Sequence, residues 1–240
     1  MEDRLKWQKE KYSRFWINRV KKYGFDAYCQ GLCEMVESKK PGSVYELGIG
    51  TGWPFAINFF QKGIQVTGSD ISDILINEIN SNYPEIRTSV GSYEELNLGE
   101  EKFDVVYCFR STWYFEDIFK ALDVMFDMTK SGGSVIFDIM NKDAVFLKTI
   151  LKHRLLLPYT FAKNITKKIL NKLFSKNYLM QNLWDIHEIP VSALSIEVYL
   201  NKRGVTFKKF SINQIEKGIQ EAFIDSGRFN SKVVYDCEVK

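Results

Sequence analysis

The chain has 240 residues, 45% of them hydrophobic and 26% charged, with a formal net charge of +3. That length fits one large domain, or a domain with an inserted cap, and can bury a core without disulfide staples. A charge this mild gives no electrostatic argument for a nucleic-acid partner.

Residues 3–20 set Leu5, Phe15, Trp16 and Ile17 among charges and predict an amphipathic helix. Residues 25–38 predict a second, with Ala27, Leu32 and Met35 inward, stopped by Pro41 and Gly42. "SVYEL" (43–47) reads as a strand, followed by a glycine turn. "WPFAINFFQKG" (53–63) reads as a helix with Pro54 in its first turn, where a missing N–H costs least, and Gly63 as its cap. A strand (64–70), a helix (71–84), and a strand with its turn (86–96) follow. "FDVVYCF" (103–109) and "SVIFDIM" (134–140) read as strands buried on both faces, separated by an amphipathic helix at 116–133. This alternation predicts an α/β, doubly wound, mostly parallel Rossmann-like sheet with helices on both faces.

After Met140 the pattern changes. Residues 142–176 read as helical, interrupted by Pro158, with nine Lys or Arg against one acid, Asp143. Ile165, Ile169, Leu170 and Leu173 are expected on a side that packs down. "LSIEVYLNKRGVTFKKFS" (194–211) alternates around "NKRG" and reads as a hairpin. A helix (212–227) and a last strand (229–239) are expected beyond it.

No apolar stretch approaches the roughly 20 residues of a membrane span. The segment "MEDRLKWQKEKYSRFW" lacks the apolar region of a signal peptide, so a cytoplasmic location is expected. Cys29, Cys33, Cys108 and Cys237 have scattered spacings that complete no metal site and read as reduced, packed thiols.

The glycine turn carries the chemistry. Gly48, Gly50 and Gly52 fall between a strand and a helix, where a ligand can approach the bare backbone and the first-turn N–H groups. Asp70 ends the next strand, 18 residues after Gly52, where an acid meets a ribose diol. A dinucleotide fingerprint wants a further glycine where Trp53 stands, which argues against a nicotinamide oxidoreductase.

"ELGIGTG" resembles the first motif of the class I S-adenosylmethionine-dependent methyltransferases. "VGSYEEL" (90–96), "FDVVYCF" with "RSTWYF", and "SGGSVIFDIMN" resemble that family's later motifs, in order. The resemblance covers roughly residues 40–141 and 211–238. It implies S-adenosylmethionine as cofactor and S-adenosylhomocysteine as product. It implies that Glu46, Gly48, Gly50 and Gly52 line the methionine moiety, and that Asp70 accepts from the ribose hydroxyls. It further implies that Ile71 packs on the adenine, that Gly91, Ser92 and Tyr93 edge it, and that Phe109 and Arg110 lie beside the sulfonium and substrate. Ser92 stands where an aspartate is usual. With residues 229–239 taken as the family's sixth strand, no seventh, antiparallel strand follows before Lys240: either the sequence is trimmed, or that strand is supplied otherwise, or the last strands are to be assigned differently.

On this reading residues 1–141 hold the N-terminal helices and the cofactor half, 142–210 a cap of helices plus hairpin, and 211–240 a return to the core. A hydroxyl acceptor benefits from a general base, and either His153 or His187 is a candidate. Tyr114 or Arg110 would orient a polar acceptor. The expected function is O-methylation of a small polar or anionic metabolite, such as a sugar or phosphorylated precursor of a surface glycan. A small-amine N-methyltransferase and a non-catalytic cofactor-binding protein are the alternatives. The expected partner is that small substrate rather than nucleic acid, and no metal is expected.

Overall fold

The apolar runs on either side of the glycine turn become the middle of a sheet. A computed structural model describes residues 7–20, 25–96, 101–142, 165–166, 169, 189–211, 214–215 and 232–240. The strands are β1 (Ser43–Leu47), β2 (Gln65–Asp70), β3 (Arg87–Val90), β4 (Phe103–Cys108), β5 (Thr129–Met140), β6 (Thr206–Ser211) and β7 (Lys232–Glu238). They form one seven-stranded sheet in the order β3-β2-β1-β4-β5-β7-β6. The first five are parallel, and β7 runs antiparallel to both of its neighbours. The order reverses between β1 and β4, the place where open α/β sheets bind ligands.

Helices cover both faces, as the buried strands require. They are α1 (Ser13–Val20), entered through a π-helical stretch Trp7–Tyr12, α2 (Ala27–Glu37), α3 (Phe55–Gln61), α4 (Asp73–Asn82), α5 (Ile118–Asp127) and α6 (Ala193–Lys202). Alternation along each strand divides the core. Val44, Val105 and Tyr107 face Leu32, Phe59 and Ile79 of α2, α3 and α4. Tyr45, Val106 and Phe137 face Leu122, Met125 and Ile196 of α5 and α6.

The expected hairpin at 194–211 is not present. Its first arm is α6, and its second is β6, paired with β7 at the sheet edge. Leu194, Ile196, Val198 and Leu200 are apolar at alternate positions, which gave the strand reading. Only the helical stripe Ala193, Ile196 and Leu200 is buried, while Leu194 and Val198 are exposed. "NKRG" ends the helix. Gly204, at φ +73°, donates to Asn201 O, and Val205 N–H reaches back to Leu200 O. That pair of hydrogen bonds is a Schellman cap, not a hairpin turn.

The seventh strand is therefore present. It is β7, inserted between β5 and β6, and the sixth is β6. Of the expected 212–227 helix, Gln214 and Ile215 are described, both helical. Ile165 and Ile169, expected on a packed side, are 46% and 52% exposed. His153, His187 and most of the basic 142–176 stretch lie outside the described residues. Among the described residues no helix is long and apolar enough to cross a membrane.

Candidate active site

All three loop glycines take left-handed backbone, with φ +82° at Gly48, +57° at Gly50 and +77° at Gly52. A side chain is excluded twice over at two of them. A Cβ on Gly48 would stand 2.8 Å from Ser111 Oγ, and one on Gly52 2.5 Å from Ile79 Cδ1. The loop is fastened to the next strand, because the Gly48 and Ile49 N–H groups both donate to Ser69 O, at 2.8 and 2.9 Å.

Asp70 closes the circuit. Its carboxylate accepts from Gly50 N–H at 3.0 Å and from Ser72 N–H at 2.9 Å. Burial pushes its pKa up to about 6, against the Ser72, Gly50 and Ile71 N–H groups that favour the charged form. Gly91 N–H donates to Asp70 O at 3.0 Å, so the turn after β3 borders the same spot. Ile71, Ser92 and Tyr93 are half-buried there. Ser92 N–H is held by Glu95 at 3.0 Å, and the Tyr93 hydroxyl accepts from Asp117 N–H at 3.2 Å.

Two side chains lie deeper than the sequence suggests. Glu46 is 3% exposed and accepts from the Tyr107 hydroxyl at 2.9 Å. Burial raises its pKa well above the carboxylate norm, so it braces the loop from beneath. Phe109, expected beside the sulfonium, turns instead into the core against Phe55 and Tyr107, as strand alternation requires. Only its backbone borders the site, through Ser111 Oγ at 3.3 Å from Phe109 O.

Arg110 follows at φ +59°, an uncommon conformation for a residue with a Cβ. Its N–H donates to Asp138 Oδ1 at 2.7 Å, and Tyr28 donates to the other oxygen at 2.9 Å. Its guanidinium lies 3.8 Å from Cys29 Sγ and 5.8 Å over the Trp16 ring. Tyr114 donates to the Tyr12 hydroxyl at 2.9 Å, and Tyr12 stacks on Trp16. Lys232 lies 5.1 Å over Tyr28 and 5.3 Å over Trp113.

The structure thus brings the glycine loop, Asp70, Gly91, Arg110 and Tyr114 to one rim. It adds Tyr12, Trp16, Tyr28, Ser111, Asp138 and Lys232, which the sequence reading missed. One signal was available: Asp138 is a lone acid within the apolar run 135–140.

Residues 45–137 match the family model of a methyltransferase domain. The chain is similar in sequence to the demethylmenaquinone methyltransferase of Chlorobaculum parvum, 24% identical over 168 residues. That match spans 67% of this chain and 66%, just under two thirds, of the relative. In structure the chain is similar to an S-adenosylmethionine-dependent methyltransferase of Clostridium acetobutylicum. There the TM-score is 0.61 at 16% identity, over 95% of this chain and 98% of that one. It is also similar to the magnesium protoporphyrin IX methyltransferase of Synechocystis with bound S-adenosylhomocysteine. There the TM-score is 0.59 at 15% identity, over 98% and 97%. The domain match opens in β1 and closes in β5, so it takes in the glycine loop, Asp70 and the turn after β4 in order. These matches support a methyltransferase domain over residues 45–137, within a Rossmann-like fold shared with S-adenosylmethionine-dependent methyltransferases.

Proposed function

We propose that this chain transfers a methyl group from S-adenosylmethionine to an oxygen of a small anionic metabolite, releasing S-adenosylhomocysteine. The observation that carries the cofactor is the Asp70 carboxylate bonded to Gly50 N–H at the carboxyl edge of the sheet. The rest of the loop fits. Thr51 Oγ1 is buried with no hydrogen-bond partner among the described residues, so a polar group is wanted beside it.

When bound, S-adenosylmethionine supplies an already activated methyl group. The residues here have to hold and align. Gly48–Gly52 offer bare backbone to the amino-acid tail, and Asp70 accepts from the ribose hydroxyls. Ile71 packs on the adenine, with Gly91, Ser92 and Tyr93 at its edge. Arg110 and Tyr114 orient the acceptor. Such positioning supplies on the order of 7–11 kcal/mol in well-oriented reactions. A carboxylate or phosphate oxygen needs no general base, and a sugar hydroxyl would draw on His153 or His187. A sugar or phosphorylated glycan precursor is the acceptor class that suits the basic 142–176 stretch, where nine cations face one acid. The four cysteines are free and buried, which suits a cytoplasmic location.

The purified chain should bind S-adenosylhomocysteine by calorimetry, and Asp70→Ala should weaken it about tenfold or more. NAD should not bind. Mass spectrometry should detect S-adenosylhomocysteine release with sugar phosphates or hydroxy acids. Turnover only with neutral or cationic amines would overturn the acceptor class. Tight binding with no turnover on any acceptor would favour a non-catalytic cofactor-binding protein.

A further inference from the structure

We infer that Lys232 and Arg110 form a two-cation seat that grips the oxyanion of the acceptor, a carboxylate or a phosphate. This rests on the methyltransferase reading of the site and names the group by which the acceptor is held.

The placement is topological first. Lys232 opens the antiparallel β7 and pairs with Met140, the last residue of β5. It therefore stands at the carboxyl edge of the sheet, the edge that carries the glycine loop and Arg110. Asp138 is the buried carboxylate that both residues bear on. It lies two residues before Met140 on β5, wholly buried, and both of its oxygens are taken, by Arg110 N–H and by Tyr28. Burial raises the Asp138 pKa, while Lys232 and Arg110 both pull against that rise. The same two cations bear on Asp26, a second carboxylate among the described residues. Asp26 is occupied as the N-cap of α2, accepting from Cys29 N–H at 2.8 Å.

Among the described residues neither cation forms an ion pair. Lys232 rests on the faces of Tyr28 and Trp113, and Arg110 on Trp16. Those contacts hold the charges in place while leaving N–H donors for a ligand. They also decide between acceptor types. A cationic amine would seek these aromatic faces, and the chain's own cations already cover them. An oxyanion meets two cationic donors, and among the described residues neither is already paired with a carboxylate. The left-handed backbone at Arg110 is the local strain that a functional placement retains.

The test uses the full chain saturated with S-adenosylhomocysteine, titrated with inorganic phosphate and, separately, with acetate, at constant ionic strength. Phosphate or acetate should bind saturably, and Lys232→Met should weaken it about tenfold, while Lys232→Arg stays within about threefold. Lys120→Met, at an exposed lysine near Glu94, should change nothing. Whichever anion binds identifies the oxyanion. Binding to Lys232→Met within about twofold of wild type, with cofactor affinity intact, would overturn the seat.

Wild-type protein gives a second readout that needs no variant. Acetylation of Lys232 by an N-hydroxysuccinimide ester, followed by mass spectrometry, should slow in the presence of the binding anion, while Lys120 reacts as before. Equal labelling rates at Lys232 with and without both anions would also overturn it. Failure to bind S-adenosylhomocysteine would instead strike the methyltransferase reading, with lysine protection still reporting on the seat.

Discussion

Asp70 is a carboxyl group with two demands on it. Its surroundings are dry enough to lift its pKa to about 6, yet three backbone N–H groups favour its charge. The folded value lies above the ordinary aspartate value of about 3.9. Its contribution to stability is therefore present below that ordinary value and is lost as pH rises through about 6. Cofactor affinity should run the other way, because the charged form is the better acceptor for ribose hydroxyls. Calorimetry should show S-adenosylhomocysteine affinity flat above pH 7 and falling toward about tenfold per unit below pH 6. Asp70→Asn should bind weakly with no such slope. A slope that survives in the variant would assign the titration to another group. Asp70 was legible in the sequence because its position is local: an acid ends the strand after a glycine turn. Asp138 was less so, since its partners Tyr28 and Arg110 lie 110 and 28 residues away.

Helix α2 shows how an element is fixed by what it touches. Gly31 sits in its middle, where alanine is the better helix former by about 1 kcal/mol. A Cβ there would stand 2.8 Å from Ile215 Cγ2 and closer still to the Ile215 carbonyl oxygen. The oxygen is backbone and cannot rotate away. Gly31→Ala should lower stability by about 1–3 kcal/mol in urea unfolding, despite its helix propensity. A gain would mean that α2 and residues 214–215 separate freely. Helix α6 is the converse case. Its sequence satisfies a period of two and a period of 3.6 at once, and burial of Ala193, Ile196 and Leu200 against β7 and α5 selects the helix.

The assembled molecule sets the N-terminal segment across the rim. Lys9 O accepts from Ser72 Oγ at 3.3 Å, Trp16 Nε1 lies 3.8 Å from where a Gly50 Cβ would be, and Tyr12 meets Tyr114. These contacts touch the loop, the second residue after Asp70 and the substrate side, but no central strand. Deleting residues 1–20 should leave the far-ultraviolet circular dichroism of the sheet intact and weaken S-adenosylhomocysteine binding about tenfold. Unchanged affinity would show that the segment only rests on the surface.

The cofactor half could be read from the amino acids because its logic is contiguous. Three glycines with positive φ, flanked by a buried strand and a helix and followed by an acid, specify one local geometry wherever they occur. The order β5-β7-β6 could not be read that way. A strand's neighbours are set by hydrogen bonds and buried faces contributed from far along the chain, and the last strand was free, on pattern alone, to be the sixth or the seventh. Its antiparallel insertion beside β5 is what carries Lys232 to the edge where Arg110 waits, and no spacing between those two residues encodes that meeting.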